Sequence, residues 1–320
     1  MKTQTEFVTP TLQDIREART RIAAHIHRTP VMTSESLDKI AGAQLYFKCE
    51  NLQRTGSFKI RGATNAVLSL KDEEAQRGVV THSSGNHAAA LSLAARWRGM
   101  PAYIVMPSNS PQAKKDAVRA YGGEITECEP TLGAREAAAA ELIRKTGAIL
   151  VHPYNNTRVI AGQGTAAIEL LEEVPELEAI IAPVSGGGLL SGTSIAAKGL
   201  KNGVRVIGAE PQNADDARRS LASGKIEPAS TKQTMADGLR ATLCPLTFSI
   251  LRENVDEIIP AEEEEIAGAM RAIWERMKLI VEPSGAVAAV PPLMRKIRGQ
   301  AKRIGVILSG GNLDLGNIPF

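Results

Sequence analysis

Short apolar runs and amphipathic stretches take turns along most of this chain. Residues 79–81, 102–106, 124–127 and 149–152 read as strands. Between them, residues 86–97, 112–121 and 134–144 carry helical spacing. A second series follows: helix 165–172, strand 180–183, helix 193–200, strand 204–209, helix 262–277 and strand 303–308. A helix over 11–26 and a strand over 43–49 precede both. Parallel strands need a crossover connection, so this alternation dictates α/β architecture, with parallel sheets covered by helices on both faces. Two series predict two doubly wound domains, and 320 residues suit two cores. Seams near 51–54 and 154–156 place the smaller domain, residues 53–153, inside the larger, residues 1–52 plus 154–320.

Composition removes several function classes. Aromatics make up 3% of the chain, too few for base-stacking platforms. The net charge of +3 is spread along the sequence, without a basic tract for nucleic acid. Cys49, Cys128 and Cys244 are too far apart for a zinc pattern and odd in number, so free thiols are expected. The start, MKTQTEFVTP, lacks the apolar run of a secretory signal, and the most apolar long window is broken by glycines. Cytoplasm is the expected location.

Four segments carry chemistry. SGGGLLSG (185–192) follows a strand and opens a helix; its glycines let main-chain N–H groups converge on an anion, and a phosphate fits best. It matches neither the dinucleotide nor the nucleotide-triphosphate glycine pattern. HSSGNHAAA (82–90) also joins strand to helix and offers a second anion cradle, suited to a carboxylate. LSGGNLDL (308–315) places Ser309 at the end of the last strand. In TGSFKIRGA (55–63), Phe58 and Ile60 flank Lys59. Desolvation there lowers the lysine pKa and raises the share of neutral amine, the form that adds to an aldehyde. Each segment alone has a plain alternative: a flexible turn, a helix cap, or a lysine stem whose ammonium reaches water. Together they describe one ligand with a carbonyl, a phosphate and a carboxylate.

In this order and spacing the four segments resemble the fold-type-II pyridoxal-phosphate enzymes, and among them the serine/threonine dehydratase and serine racemase branch. The resemblance runs from about residue 11 to 312. It implies a tryptophan-synthase-β-like architecture, pyridoxal 5'-phosphate as cofactor, a small amino-acid substrate and a homodimer. It implies that Lys59 binds the cofactor aldehyde, that Phe58 packs near the pyridine ring and that Asn86 bonds the ring hydroxyl. Ser185, Gly186, Gly187, Gly188 and Leu189 would form the phosphate cup. Ser309 would meet the ring nitrogen and leave it largely neutral, which favours elimination over transamination. Glu282, in EPSGA (282–286), would stand behind the ring contacts. Ser83, Ser84, Asn86 and His87 would grip the substrate carboxylate.

The implied reaction is β-elimination from a β-hydroxy amino acid such as L-serine or L-threonine, giving a 2-oxo acid and ammonia. Lys59, freed by the substrate amine, would take the α-proton as general base. Serine racemisation is the alternative, with Ser84 as acid/base on the opposite face. A third reading is 3-hydroxyaspartate dehydration, with Arg135 on the second carboxylate. A remote fourth is a non-catalytic protein that kept the fold. EPQNADD (210–216) resembles the branch's divalent-cation site, with carboxylates from Glu210 and Asp216 and the Ala214 carbonyl, suited to Mg, Ca or Mn. Two departures stand out. Ala89 replaces the glutamine tied to nucleotide contact in animal-type racemases, so nucleotide activation is not expected. Tyr154, in HPYNN (152–156), sits closer to a dehydratase pattern. A regulatory domain after LSGGN, of the kind biosynthetic threonine dehydratases carry, is not expected.

Overall fold

A computed structural model describes residues 8–83, 85–230, 232–299, 301–316 and 318–320. Among the described residues, ten strands form two sheets. In chain order they are β1 (Val31–Met32), β2 (Gln44–Cys49), β3 (Val79–His82), β4 (Ala102–Pro107), β5 (Glu124–Cys128), β6 (Ile149–Leu150), β7 (Ala179–Pro183), β8 (Arg205–Pro211), β9 (Glu257–Ala261) and β10 (Arg303–Leu308). The six-stranded sheet has the order β1-β2-β10-β7-β8-β9, and the four-stranded sheet β5-β4-β3-β6. All pairings are parallel except β1 with β2. The α/β class with two parallel sheets is as expected.

The central strands are buried on both faces, which is why they read as continuous apolar runs. Ile181, Ile207 and Val306 pack on one face of the larger sheet with Ile266, Met270 and Ile273 of the helix Glu263–Met277. Their chain neighbours Ile180, Val206 and Ile307 pack on the other, with Leu170 and Leu190. The smaller sheet repeats this: Val79 and Ile104 join Ile60 and Leu91, while Val80 and Val105 join Ala139 and Leu142.

The helix Lys59–Leu68 lies between the helices Asn86–Trp97 and Thr157–Glu173 and touches both. It therefore connects the two sheets' layers directly beside the site. The helix Thr157–Glu173 starts eight residues before the expected 165, because Asn156 caps it by accepting from the N–H groups of Arg158 and Val159 at 3.0 and 3.1 Å. No helix among the described residues is long and apolar enough to cross a membrane. All three cysteines are free thiols.

Candidate active site

Three loops leave the carboxyl ends of β3, β7 and β10 and meet the start of the Lys59 helix around one cavity of about 570 Å³. Ligands in open α/β sheets bind at such strand ends. Phe58, Lys59, Ser83, Asn86, His87, Arg135, Ser185, the run Gly186–Gly188, Leu189, Glu282 and Ser309 all line it. Ser84 lies outside the described residues; its neighbours Ser83 and Gly85 line the cavity.

Lys59 is partly buried. Its Nζ lies 5.0 Å from the Phe58 ring centroid, with only a long contact, 3.5 Å, to the Pro153 carbonyl. Burial pushes the amine down to about 8, and the Glu282 carboxylate opposes that shift. Glu282 is itself pushed up to about 8, first by burial and then by the Asp237 charge. A half-buried amine and a buried acid thus both stand at about 8 in one cavity. Such perturbed pairs mark functional sites.

The helix Gly188–Leu200 begins at the cavity. Its first intrahelical bond runs from Ser191 N–H to the Gly187 carbonyl at 2.8 Å. The N–H groups of Gly188, Leu189 and Leu190 therefore have no acceptor one turn back, and the helix dipole adds partial positive charge there. Two expected members of the cup have other bonds. The Gly187 N–H donates to the Val184 carbonyl at 3.1 Å, and the Ser185 hydroxyl donates to the Gly238 carbonyl at 3.1 Å. Gly186 must be glycine, since a Cβ there would come within 2.5 Å of the Tyr154 ring.

The helix Asn86–Trp97 points its own N-terminus into the cavity. Asn86 Nδ2 donates to Glu282 Oε1 at 2.9 Å. The His87 ring donates through Nε2 to the Val151 carbonyl at 3.0 Å, and its Nδ1 is buried without a partner. Burial, then Lys59, pushes it down to about 3, so the ring is neutral. What His87 offers an anion is its main-chain N–H. Ser309 is buried, with its hydroxyl 3.5 Å from the Ser284 carbonyl. Arg135 contacts only its own turn, through Nε–H to the Thr131 carbonyl at 3.4 Å; among the described residues it has no carboxylate partner.

Away from the cavity, Glu210 is the last residue but one of β8, Ala214 closes the turn Gln212–Ala214 and Asp216 opens the helix Asp216–Ser223. Burial, with Asp216 close by, pushes Glu210 up to about 8. Asp216 Oδ2 is buried and unpartnered.

Several lining residues escape sequence reasoning. The turn Asp237–Leu239 and the residues after it, Arg240 to Thr242, line the cavity beside Ser185, with Lys114 bridging to Asp237 at 2.8 Å. His82 and His152 stack edge to face at 5.6 Å, and His152 packs on Tyr154 at 4.6 Å. Asn312 lines the cavity too. The two histidines belong to quoted segments; the loop 237–242 has no periodicity to betray it.

A lysine at a helix start, facing a glycine-rich helix N-terminus across an α/β cavity, defines an enzyme that works through a phosphorylated carbonyl cofactor. Comparison with known proteins agrees. The family described as "Pyridoxal-phosphate dependent enzyme" matches residues 22–310, and the chain belongs to it. It is 51% identical to a serine racemase of Arabidopsis thaliana, over 99% of this chain and 98% of that one. It is 50% identical to a beta-hydroxyaspartate dehydratase of Paracoccus denitrificans, over 97% and 99%. The structure of maize serine racemase superposes with a TM-score of 0.95 at 47% identity, covering 97% of this chain and 95% of that one. The chain is thus a pyridoxal-phosphate-dependent enzyme of the serine racemase and dehydratase family, whose members catalyse elimination or racemisation.

The cavity fits that cofactor: the helix start at Gly188, with its unpaired N–H groups, and the desolvated Lys59 amine line the same cavity. Only neutral amine adds to the cofactor aldehyde. Loading of pyridoxal phosphate onto cofactor-free protein is therefore expected to accelerate about tenfold per pH unit below the amine's value of about 8, and to level off above it. Stopped-flow absorbance measures this rate. A rate that keeps climbing tenfold per unit from about pH 8 to 10 would contradict the shift.

Proposed function

We propose that this chain interconverts L- and D-serine and also removes water from β-hydroxy amino acids, releasing a 2-oxo acid and ammonia. The observation that supports this most is a single cavity uniting a desolvated Lys59 amine with two helix N-termini, one suited to phosphate and one to carboxylate. The serine racemase relatives favour racemisation, the alternative to the dehydratase reading that the sequence suggests first.

Bound pyridoxal phosphate supplies an electron sink that acidifies the substrate's α-hydrogen. In this reading the N–H groups at Gly188 and Leu189 hold the phosphate, Phe58 lies near the ring, Ser309 faces the ring nitrogen, and Glu282 supports Asn86 at the ring hydroxyl. Ser83 and the first N–H groups of the helix Asn86–Trp97 orient the carboxylate. Lys59 Nζ, neutral near pH 8, takes the α-proton from one face. Ser84 returns a proton from the other face, which inverts the α-carbon. When the β-hydroxyl departs instead, elimination results. The smaller unit, residues 53–153, carries the carboxylate loop, and the rest carries the phosphate cup.

Arg135 supports a second substrate. A guanidinium that lines the cavity without an acid partner suits a second carboxylate, as in 3-hydroxyaspartate. The test is one panel: L-serine, L-threonine and 3-hydroxyaspartate, with chiral analysis of serine and an assay for 2-oxo acids. D-serine together with pyruvate is expected, and oxaloacetate from the dicarboxylic substrate. A 2-oxo acid without D-serine would overturn the racemase half. Silence on all substrates by cofactor-loaded protein would overturn the whole.

We further propose that Glu210, Asp216 and the Ala214 carbonyl hold a divalent cation, a hard ion that favours oxygen donors. The unpartnered Asp216 oxygen supports this. A ligand bound only by the native state raises its stability. Chelation is expected to lower the melting temperature by several degrees, with Mg or Ca restoring it, and Asp216→Asn is expected to remove the response. A melting temperature indifferent to chelator and cation would contradict the site.

A further inference from the structure

We infer that Asn312, the last residue of LSGGN, is a positioning residue that clamps the loop entering Lys59 to the helix start that carries Asn86. Its side-chain nitrogen donates twice, to the Thr55 carbonyl at 2.7 Å and to Asn86 Oδ1 at 2.9 Å. Both hydrogens of the amide are used. Asn86 continues the chain, since its own Nδ2 donates to Glu282 Oε1. One amide thus fixes which way the Asn86 amide faces, and joins three segments 226 and 257 residues apart in sequence.

The loop it holds is an unusual one. Thr55 has a φ of 60°, a left-handed conformation that a β-branched residue seldom adopts. Such a conformation persists only where the surroundings over-determine it. Here the strand-end segment 309–311 stitches the loop along its length. Gly311 N–H donates to the Gly56 carbonyl at 2.9 Å, and Phe58 N–H donates to the Ser309 carbonyl at 3.0 Å. Ser57 and Gly310 form an isolated β-bridge between these bonds. Asn312 supplies the side-chain member of this set. The packing is close as well: a Cβ on Gly56 would lie 2.2 Å from Asn312 Oδ1. The backbone leading into Lys59 is therefore pressed against the Asn312 amide.

A clamp and a space-filler respond oppositely to aspartate. Asn312→Asp keeps the volume, but a carboxylate has no N–H to give and would face two carbonyl-type oxygens. Asn312→Ala only removes the donors. A clamp makes aspartate the worse replacement; simple filling makes it the better one. The inference rests on Lys59 as the cofactor's residue, yet its first readout needs no cofactor. In cofactor-free protein, hydrogen exchange at Gly56 and Phe58 is expected to quicken about tenfold in Asn312→Ala and further in Asn312→Asp. In the loaded enzyme, the cofactor absorbance maximum should shift and kcat should fall about tenfold or more, with KM changed far less. Should Asn312→Asp fail to fold, the exchange rates of Asn312→Ala decide. Wild-type exchange in Asn312→Ala, or a milder effect in Asn312→Asp than in Asn312→Ala, would overturn the clamp. An inactive wild-type enzyme would instead indict the proposed reaction, leaving the exchange data to judge the clamp by themselves.

Discussion

Lys59→Ala is expected to lose turnover by about 10⁴-fold or more, since it removes a general base and the cofactor's attachment at once. The two losses do not separate in this variant. Without the amine, the two histidines coupled to it by charge are poor substitutes: His87 and His152 are pushed by burial down to about 3 and about 4 respectively. Each would be a feeble base. The fold should survive, because Lys59 makes one long hydrogen bond and its burial opposes its charge. A melting temperature close to wild type, with no 2-oxo acid and no D-serine, is the expected pair of results. Retained turnover in a folded Lys59→Ala protein would contradict the assignment.

Arg61→Met should cost about 3–5 kcal/mol of stability, because it strips the cation from two buried carboxylates. Arg61 is fully buried two residues past Lys59, on the same helix. All five of its N–H groups are used. Nε and Nη2 reach Glu50 at 2.7 Å each, Nη1 and Nη2 reach Glu169 at 2.7 and 2.8 Å, and Nη1 also reaches the Thr165 hydroxyl at 3.1 Å. Lys48 completes the cluster, donating to Glu169 and to the Thr29 carbonyl at 2.6 Å each. Two cations thus balance two anions. Lysine could not reproduce the paired fork. Burial works to raise the Glu169 carboxyl, but Arg61 and Lys48 outweigh it and hold the group below its ordinary value. That depression stabilises the native state above the ordinary carboxylate pKa, and the gain fades as pH falls. Without Arg61 the main depressing influence is gone. The stability gap between wild type and variant should therefore narrow toward acid pH. Urea denaturation across a pH series measures both effects; a loss below about 1 kcal/mol at neutral pH would show that the cluster is not needed for the fold.

Legibility in the sequence followed the range of the interactions. SGGGLLSG and HSSGNHAAA announce themselves because a strand end, a glycine or serine turn and a helix start are contiguous, and the anion site is made of local N–H groups. Lys59 is legible through its flanking Phe58 and Ile60. Arg61 is not: its partners Glu50 and Glu169 lie 11 and 108 residues away, and an arginine within reach of nothing local looks like a surface charge. Asn312 is hidden for the same reason. The strand β9 escapes because Glu257 and Pro260 interrupt its apolar run, although Ile258 and Ile259 are buried on opposite faces. Gly162 and Gly164 dilute the periodicity at the start of the helix Thr157–Glu173, so only its second half is recognisable. The family resemblance, carried by four short segments, supplied roles that no spacing could give.

The most direct test is chemical. Protein saturated with pyridoxal phosphate is reduced with borohydride, digested and analysed by mass spectrometry. The account predicts one cofactor-bearing peptide, modified at Lys59. An unmodified residue 59, with the label absent or on another lysine, would contradict it.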